Sequence, residues 1–313
     1  MDLEEDLEEI KEFLESGKRG YEDLEEELGK SRSTVYKKLE ALKEFVNVEE
    51  EVIDRGKKLF YISDEPDRTS SRFVVEPKTE YVIGATGDWH IGNSATDYDA
   101  LKRYLEDLHE AGVDYVLHTG DLLDGFKVYR GHIQELFAGE VDGEIYNCSG
   151  VDEQKRLFRD VFAQDFVFKT VSGNHEYKSM RKDGHQPLES LDVSVDGFDY
   201  LEEFNAELDF NGVEVELIHP RLGKAYSKSY RSQQLIRERS PDNFPDLFLV
   251  GHTHDSGYFL NQGVHSFMTG TFMGENNLSK RSGYDTVPNG YLLRFGVVDG
   301  EVRDLRVRHL RYD

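Results

Sequence analysis

The sequence predicts an α/β protein, a two-sheet sandwich flanked by helices, with a small helical domain and hairpin ahead of it. Three observations carry this reading. Four apolar, β-prone runs (Tyr81-Val82-Ile83, Tyr115-Val116-Leu117, Phe166-Val167-Phe168 and Leu247-Phe248-Leu249-Val250) are each followed by a glycine and polar residues. Between the first two lies a helical period over about Tyr98–Ala111, with Leu101, Tyr104, Leu105 and Leu108 on one face. Strand, helix and strand in that order make a βαβ unit, which implies parallel pairing and a right-handed crossover. Before residue 65 the pattern changes to three short helices and two β-prone stretches.

Those first residues, 1–65, read as a domain of their own. Leu3, Leu7, Ile10 and Leu14 recur at helical spacing, and Gly17 and Gly20 end that helix. A second helix carries Leu24 and Leu28 and stops at Gly29; a third starts near Ser31 and repeats Val35, Leu39, Leu42 and Phe45. Then come Val46-Asn47-Val48, a turn at residues 54–58, and Leu59-Phe60-Tyr61-Ile62. This resembles a winged helix-turn-helix domain. The resemblance makes the third helix the recognition helix, with Arg32, Ser33, Thr34, Tyr36 and Lys37 facing outward toward base edges. The wing carries Arg55, Lys57 and Lys58 for phosphate contacts. Glu40 and Glu44 fall on the same outer face, and residues 1–65 hold 21 acidic against 11 basic side chains, so protein docking or dimerisation stands as the alternative. Residues 66–79, polar with two prolines, read as a linker.

The remainder, 80–313, is long enough to bury a core of its own. A long aromatic connection between Gly125 and Phe166, with a helix expected over Asp152–Gln164, reads as a cap beside a site or as a homodimer contact. Arg181, Lys182, His185 and Gln186 are expected on a loop, a helix over Ser232–Arg239, and late strands at Tyr258–Leu260, Val264–Met268, Tyr291–Val298 and Val302–Leu310, completing a second sheet. No apolar run reaches membrane-spanning length and the N-terminus has no signal-peptide pattern, so no membrane association and a cytoplasmic protein are expected. The single cysteine, Cys148, excludes an internal disulfide and a thiolate zinc cluster. A net charge of −25 argues against a phosphate-rich partner unless the excess acid is a halophilic adaptation, which high salt screens.

The chemistry lies at the strand ends. Gly87-Asp88-Trp89-His90, Gly120-Asp121-Leu122-Leu123-Asp124, Gly173-Asn174-His175-Glu176 and Gly251-His252-Thr253-His254 follow the four runs, and His219 ends the alternating stretch Val213–Ile218. Glycine there lets the chain turn so that carboxylate, imidazole and amide groups converge beyond the sheet, a donor set suited to two adjacent divalent ions. In this order the motifs resemble the calcineurin-like metallophosphoesterase family, whose catalytic part they cover from Asp88 to His254. The resemblance implies a metallophosphoesterase-type sandwich in which one metal takes Asp88, His90 and His254, the other takes Asn174, His219 and His252, and Asp121 bridges them. A carboxylate shared in this way holds two ions about 3.5–4 Å apart. Mixed nitrogen and oxygen ligation without thiolate points to manganese, with iron and zinc as alternatives. Asp124 and Glu176 are candidates to orient histidine N–H groups. One departure is Pro220 after His219, where many relatives have glycine.

The resemblance further implies phosphoester hydrolysis by a hydroxide held between the metals, with His175 assisting the leaving group. Beside the winged-helix reading this points to a phosphodiesterase or nuclease acting on nucleic acid. A phosphomonoesterase that uses its first domain for docking is the alternative, and a DNA-binding regulator without turnover is a third. His185, Arg221, Lys224 and Arg231 are candidate substrate contacts. Trp89, His109, His118, His132, His265 and His309 read as packing or surface residues.

Overall fold

The computed structural model describes residues 10–11, 13–14, 17, 19–42, 48–53, 57–62, 72–163, 165–221, 227–237, 239, 243–275 and 287–313. The chain divides into two compact units, Met1–Thr69 and Ser70–Asp313.

In the first unit, β1 (Arg19–Gly20) leads into α1 (Tyr21–Leu28) and α2 (Arg32–Leu42), followed by β2 (Val48–Ile53) and β3 (Lys57–Ile62). Helix α1 starts where Asp23 Oδ2 accepts the Gly20 amide at 2.7 Å and ends at Gly29, which turns at φ 58°. Ile10, Leu14, Leu24, Val35, Leu39, Leu42 and Phe60 form its core. Strand β1, where the sequence suggested only the end of a helix, pairs antiparallel with β3, giving the sheet order β1-β3-β2. Arg32, Tyr36 and Lys37 are exposed on α2 and Thr34 is half-buried; Arg32 lies 4.6 Å from the Tyr21 ring centroid. Arg55 and the side chains of Ser33, Lys57 and Lys58 lie outside the described residues.

The second unit opens with β4 (Arg72–Val74), which pairs in parallel with a strand of the second sheet. Residues 72–74 are therefore not linker: Phe73 alternates inward toward the core. Two six-stranded sheets follow. The first has order β10 (Phe198–Glu203), β9 (Phe168–Ser172), β6 (Tyr115–His118), β5 (Glu80–Thr86), β16 (Asn289–Val298), β17 (Glu301–Arg311). The second runs β14 (Ser256–Asn261), β15 (Val264–Thr269), β13 (Leu247–Val250), β12 (Val213–Ile218), β11 (Asn205–Phe210), β4. The expected placement of all four late strands in the second sheet is corrected here: β16 instead lies antiparallel to β5 and carries β17 at the edge. Its composition explains this, because Tyr291, Leu293, Phe295 and Val297 face the core between the sheets while Leu292 joins the helical side, so both faces need cover.

Alternation along β5 builds the layers. Tyr81, Ile83 and Ala85 point between the sheets, against Leu208, Val215, Leu217, Leu249 and Phe267. Val82 points outward with Val116 and Phe168, where α3 (Tyr98–Ala111) covers them with Leu101, Tyr104, Leu105 and Leu108. Helix α7 (Tyr230–Arg237) covers the other sheet through Ile236 on Phe248 and Val250. The long connection is ordered. It holds a 3-10 turn (His132–Glu135), the hairpin β7 (Ala138–Val141) and β8 (Glu144–Asn147), and α4 (Val151–Leu157), which widens into a π-helix at Phe158–Phe162. Helices α5 (Asn174–Asp183) and α6 (Pro187–Ser194) follow β9, so Arg181 and Lys182 lie on a helix and not on the expected loop.

Candidate metal centre

Five strands, β5, β6 and β9 of one sheet and β12 and β13 of the other, end at one place, and within a few residues of the ends of β5, β6 and β13 the backbone enters the left-handed region. Asp88, His90, Asp121, His252 and His254 all have positive φ, between 48° and 75°. Aspartate and histidine tolerate this region better than most residues, and such a concentration of unfavourable backbone is typical of sites fixed by function. The glycines before them serve close approach more than turning. Only Gly120 among the four is left-handed, at φ 95°, and a Cβ on it would stand 2.7 Å from His219 Nδ1 and 2.9 Å from the Gly173 amide.

The hydrogen bonds decide which imidazole nitrogens are free to bind. His219 Nδ1 lies 2.8 Å from the carbonyl of Thr119 and must donate to it, which leaves Nε2 toward Asp121 Oδ2 at 3.4 Å and Asn174 Oδ1 at 3.2 Å. His175 Nδ1 likewise donates to the Asp124 carbonyl at 2.6 Å, and its amide donates to Asp121 Oδ1 at 2.8 Å. His90 gives Nδ1–H to Asp124 Oδ1 at 3.2 Å, so its Nε2 is turned to His254 Nε2 at 3.1 Å and Asp121 Oδ2 at 3.8 Å. Asp88 Oδ2 accepts the His252 amide at 2.9 Å, but its buried Oδ1 has no hydrogen-bond partner and faces His254 Nε2 at 3.4 Å. Asp88, His90 and His254 thus offer one compact group of donor atoms and Asp121, His219 and His252 another, each within 4.8 Å.

These atoms fit divalent cations. Burial, reinforced by Asp121, pushes Asp88 up to about 8. Burial works against a proton on His219 and His175, yet the surrounding acceptors together outweigh it, Asp121 with Asp88 and the Thr119 carbonyl for His219 and Asp121 with Asp124 for His175, and both rise to about 9. Burial and the charge of His219 hold His252 down at about 3, and burial with His90 keeps His254 well below the ordinary range. A field that retains protons on buried imidazoles is one that would hold a dication, and an orphaned carboxylate oxygen is a ready ligand.

Asp124 is completely buried and accepts from three side chains: His90, Asn93 Nδ2 at 3.0 Å and His132 Nε2 at 2.8 Å. Asp124, expected to orient histidine N–H groups, is thus placed against the ring nitrogens of His90 and His132. Glu176 does something else. Its two oxygens accept the Leu123 and Gly173 amides, each at 2.8 Å, so it fastens two site loops and caps α5 without touching a histidine nitrogen. His132, read from sequence as packing or surface, is buried on Asp124, and Val128 N donates to its Nδ1 at 3.2 Å. A lone histidine in a long connection gave no signal of this. Trp89 is core, bonded through Nε1 to Thr86 Oγ1 at 2.7 Å. Among the remaining candidates, Arg221 is exposed beside His219, His185 is exposed past the end of α5 where its charge bears on Asp152, and Arg231 bonds Gln234 on α7 at 3.0 Å. Lys224 lies outside the described residues.

The sequence profile of the calcineurin-like phosphoesterases matches residues 81–258, more than half of the chain and the whole of the motif set. The chain belongs to the calcineurin-like phosphoesterase family. Curated relatives include the DNA polymerase II small subunit of Methanothermobacter thermautotrophicus, 24% identical over 260 residues, which cover 69% of this chain and 52% of that protein. That of Halobacterium salinarum is 24% identical over 273 residues, covering 73% and 51%. The chain spans about half the length of these relatives. Similar solved structures include an archaeal phosphodiesterase at 13% identity and TM-score 0.40, covering 74% of this chain and 99% of that one. The zinc complex of Vps29 from Entamoeba histolytica aligns at 16% identity and TM-score 0.39, covering 74% and 99%. Among the described residues, no helix is long and apolar enough to cross a membrane.

Proposed function

We propose that the chain is a phosphodiesterase that uses two divalent metal ions and acts on nucleic acid. The observation that carries this is a pair of adjacent donor groups, Asp88, His90 and His254 in one and Asp121, His219 and His252 with the Asn174 side-chain oxygen in the other, with Asp121 Oδ2 3.8 Å from His90 Nε2 and 3.4 Å from His219 Nε2. Manganese suits this nitrogen and oxygen set, with iron and zinc next. Bound there, the ions would supply Lewis acidity toward phosphate oxygens and activation of water near neutral pH.

The residues themselves do the rest. Thr119 O and Asp124 fix the tautomers of His219 and His90, so no reorganisation is needed as charge develops. His175, held through Nδ1 by the Asp124 carbonyl, keeps Nε2 available to carry a proton to a leaving oxygen. Asn174 contributes a neutral oxygen, which limits the negative charge a phosphate must approach.

Nucleic acid as the substrate draws on two supports. The curated relatives carry the name of a DNA polymerase subunit. The first unit has the order strand, helix, helix, two strands, with the short strand closing the hairpin into a three-stranded sheet, which supports reading it as a winged helix. Arg32, Tyr36 and Lys37, exposed on α2, are the contacts it would use.

The test is cleavage of single- and double-stranded DNA and RNA by the full chain with Mn²⁺ across a salt series, against Asp121→Ala. Cleavage at least about a hundredfold faster than the variant is expected, since Asp121 serves both ions. Hydrolysis of a phosphate-monoester reporter with every polymer left intact would move the reading to a phosphomonoesterase.

A further inference from the structure

The side of the centre that carries Asn174, His219 and His252 bears two cations that metal binding does not use. Arg221, two residues past His219, is exposed, yet its guanidinium is not loose. It stacks 4.1 Å from the Phe204 ring centroid and 4.4 Å from that of Tyr177, and the two rings meet at 5.2 Å. Both rings are anchored to the centre. The Phe204 carbonyl accepts the His219 amide at 2.7 Å, and Tyr177 lies three residues after Asn174 on α5, on the same face. Lys178, the next residue, is exposed on the same helix, four residues after Asn174.

A guanidinium held over two aromatic rings loses little freedom on binding and still presents its N–H fork. Glu203 is an acid whose charge is favoured by Arg221 and opposed by burial. The chain holds 63 acidic residues against 38 basic ones, so exposed cations on the two segments that flank this side of the centre stand out against its overall charge.

We propose that Arg221 and Lys178 form a subsite for a second phosphate, next to the one being hydrolysed, which makes the substrate a nucleic-acid strand and not an isolated phosphoester. This rests on the phosphodiesterase reading above. An incoming strand would lay its scissile phosphate at Asp121 and its neighbour across the Arg221 fork, with Tyr177 and Phe204 keeping the fork in place.

The test compares matched diesters with the full chain and Mn²⁺: the p-nitrophenyl ester of thymidine 5′-phosphate with and without a 3′-phosphate, and the 3′-ester with and without a 5′-phosphate. In one polarity the added phosphate is expected to raise kcat/KM at least about tenfold, the worth of one charge-assisted contact. Arg221→Gln brings that ratio close to one, Arg221→Lys recovers part of it, and Lys178→Gln lowers it. Calorimetric affinity for thymidine 3′,5′-bisphosphate falls by the same factor in Arg221→Gln. Equal turnover with and without the added phosphate, or an undiminished preference in Arg221→Gln, overturns the subsite and leaves the phosphodiesterase reading standing. Turnover of p-nitrophenyl phosphate with none of the diesters hydrolysed overturns the reading beneath it as well.

Discussion

Asp124 gathers His90, Asn93 and His132 on its carboxylate and His175 on its carbonyl, so one buried residue sets the orientation of a candidate ligand and of the candidate proton donor. His132 is the member of that group brought in by the long connection. Removing its N–H would leave a buried carboxylate short of a donor and free to draw His90 away. His132→Phe is therefore expected to weaken Mn²⁺ binding about ten- to a hundredfold in a calorimetric titration, the usual effect of losing an outer partner of a ligand. His132→Gln, which still offers an N–H, should regain part of it, and unchanged affinity in the Phe variant would remove His132 from the site. The candidate ligands were legible because each sits within three residues of a glycine-ended β-prone run or directly ends a strand. Their partners were not: His132 pairs across the fold without a local pattern, and the side chain of Glu176, beside His175 in sequence, turns back to cap its own helix.

At the scale of elements, the strand ends approach so closely that side chains are excluded there. Gly120 combines a left-handed backbone with a neighbour at 2.7 Å, and Gly173 backs directly onto Asp121. Gly120→Ala is expected to cost about 1–3 kcal/mol in urea unfolding, because strained φ and a blocked approach add at one position. A loss below about half a kcal/mol would mean that the strand ends have room to separate. Helix α3 was readable from period alone, covering the expected span with its expected inward residues buried, whereas α5, read as a loop, has too polar a sequence to show one. Short pieces were missed. The strands Arg19–Gly20, Arg72–Val74, Ala138–Val141 and Glu144–Asn147 have two to four residues each, too few to show alternation, and exist because a partner strand satisfies them. Of the late strands, β14 and β15 lie in the expected sheet and β16 and β17 in the other, since period says which face is apolar and not which sheet will cover it.

Across the whole second unit, the centre joins the two sheets. Asp88, His90, Asp121 and Asn174 come from β5, β6 and β9, whereas His219, His252 and His254 come from β12 and β13. Each proposed ion takes ligands from both sheets, so metal binding would clamp the sandwich at one end, and anything bound only to the folded form adds to its stability. The two-sheet architecture was legible as a class from alternation and connection lengths; the convergence of both sheets on Asp121 is a property of the closed molecule. The measurement that bears on it most directly is diffraction at the manganese edge from crystals of the full chain grown with Mn²⁺. Two anomalous peaks, about 3.5–4 Å apart with Asp121 between them, are expected. A single peak, or peaks away from Asp121, would contradict a two-ion centre.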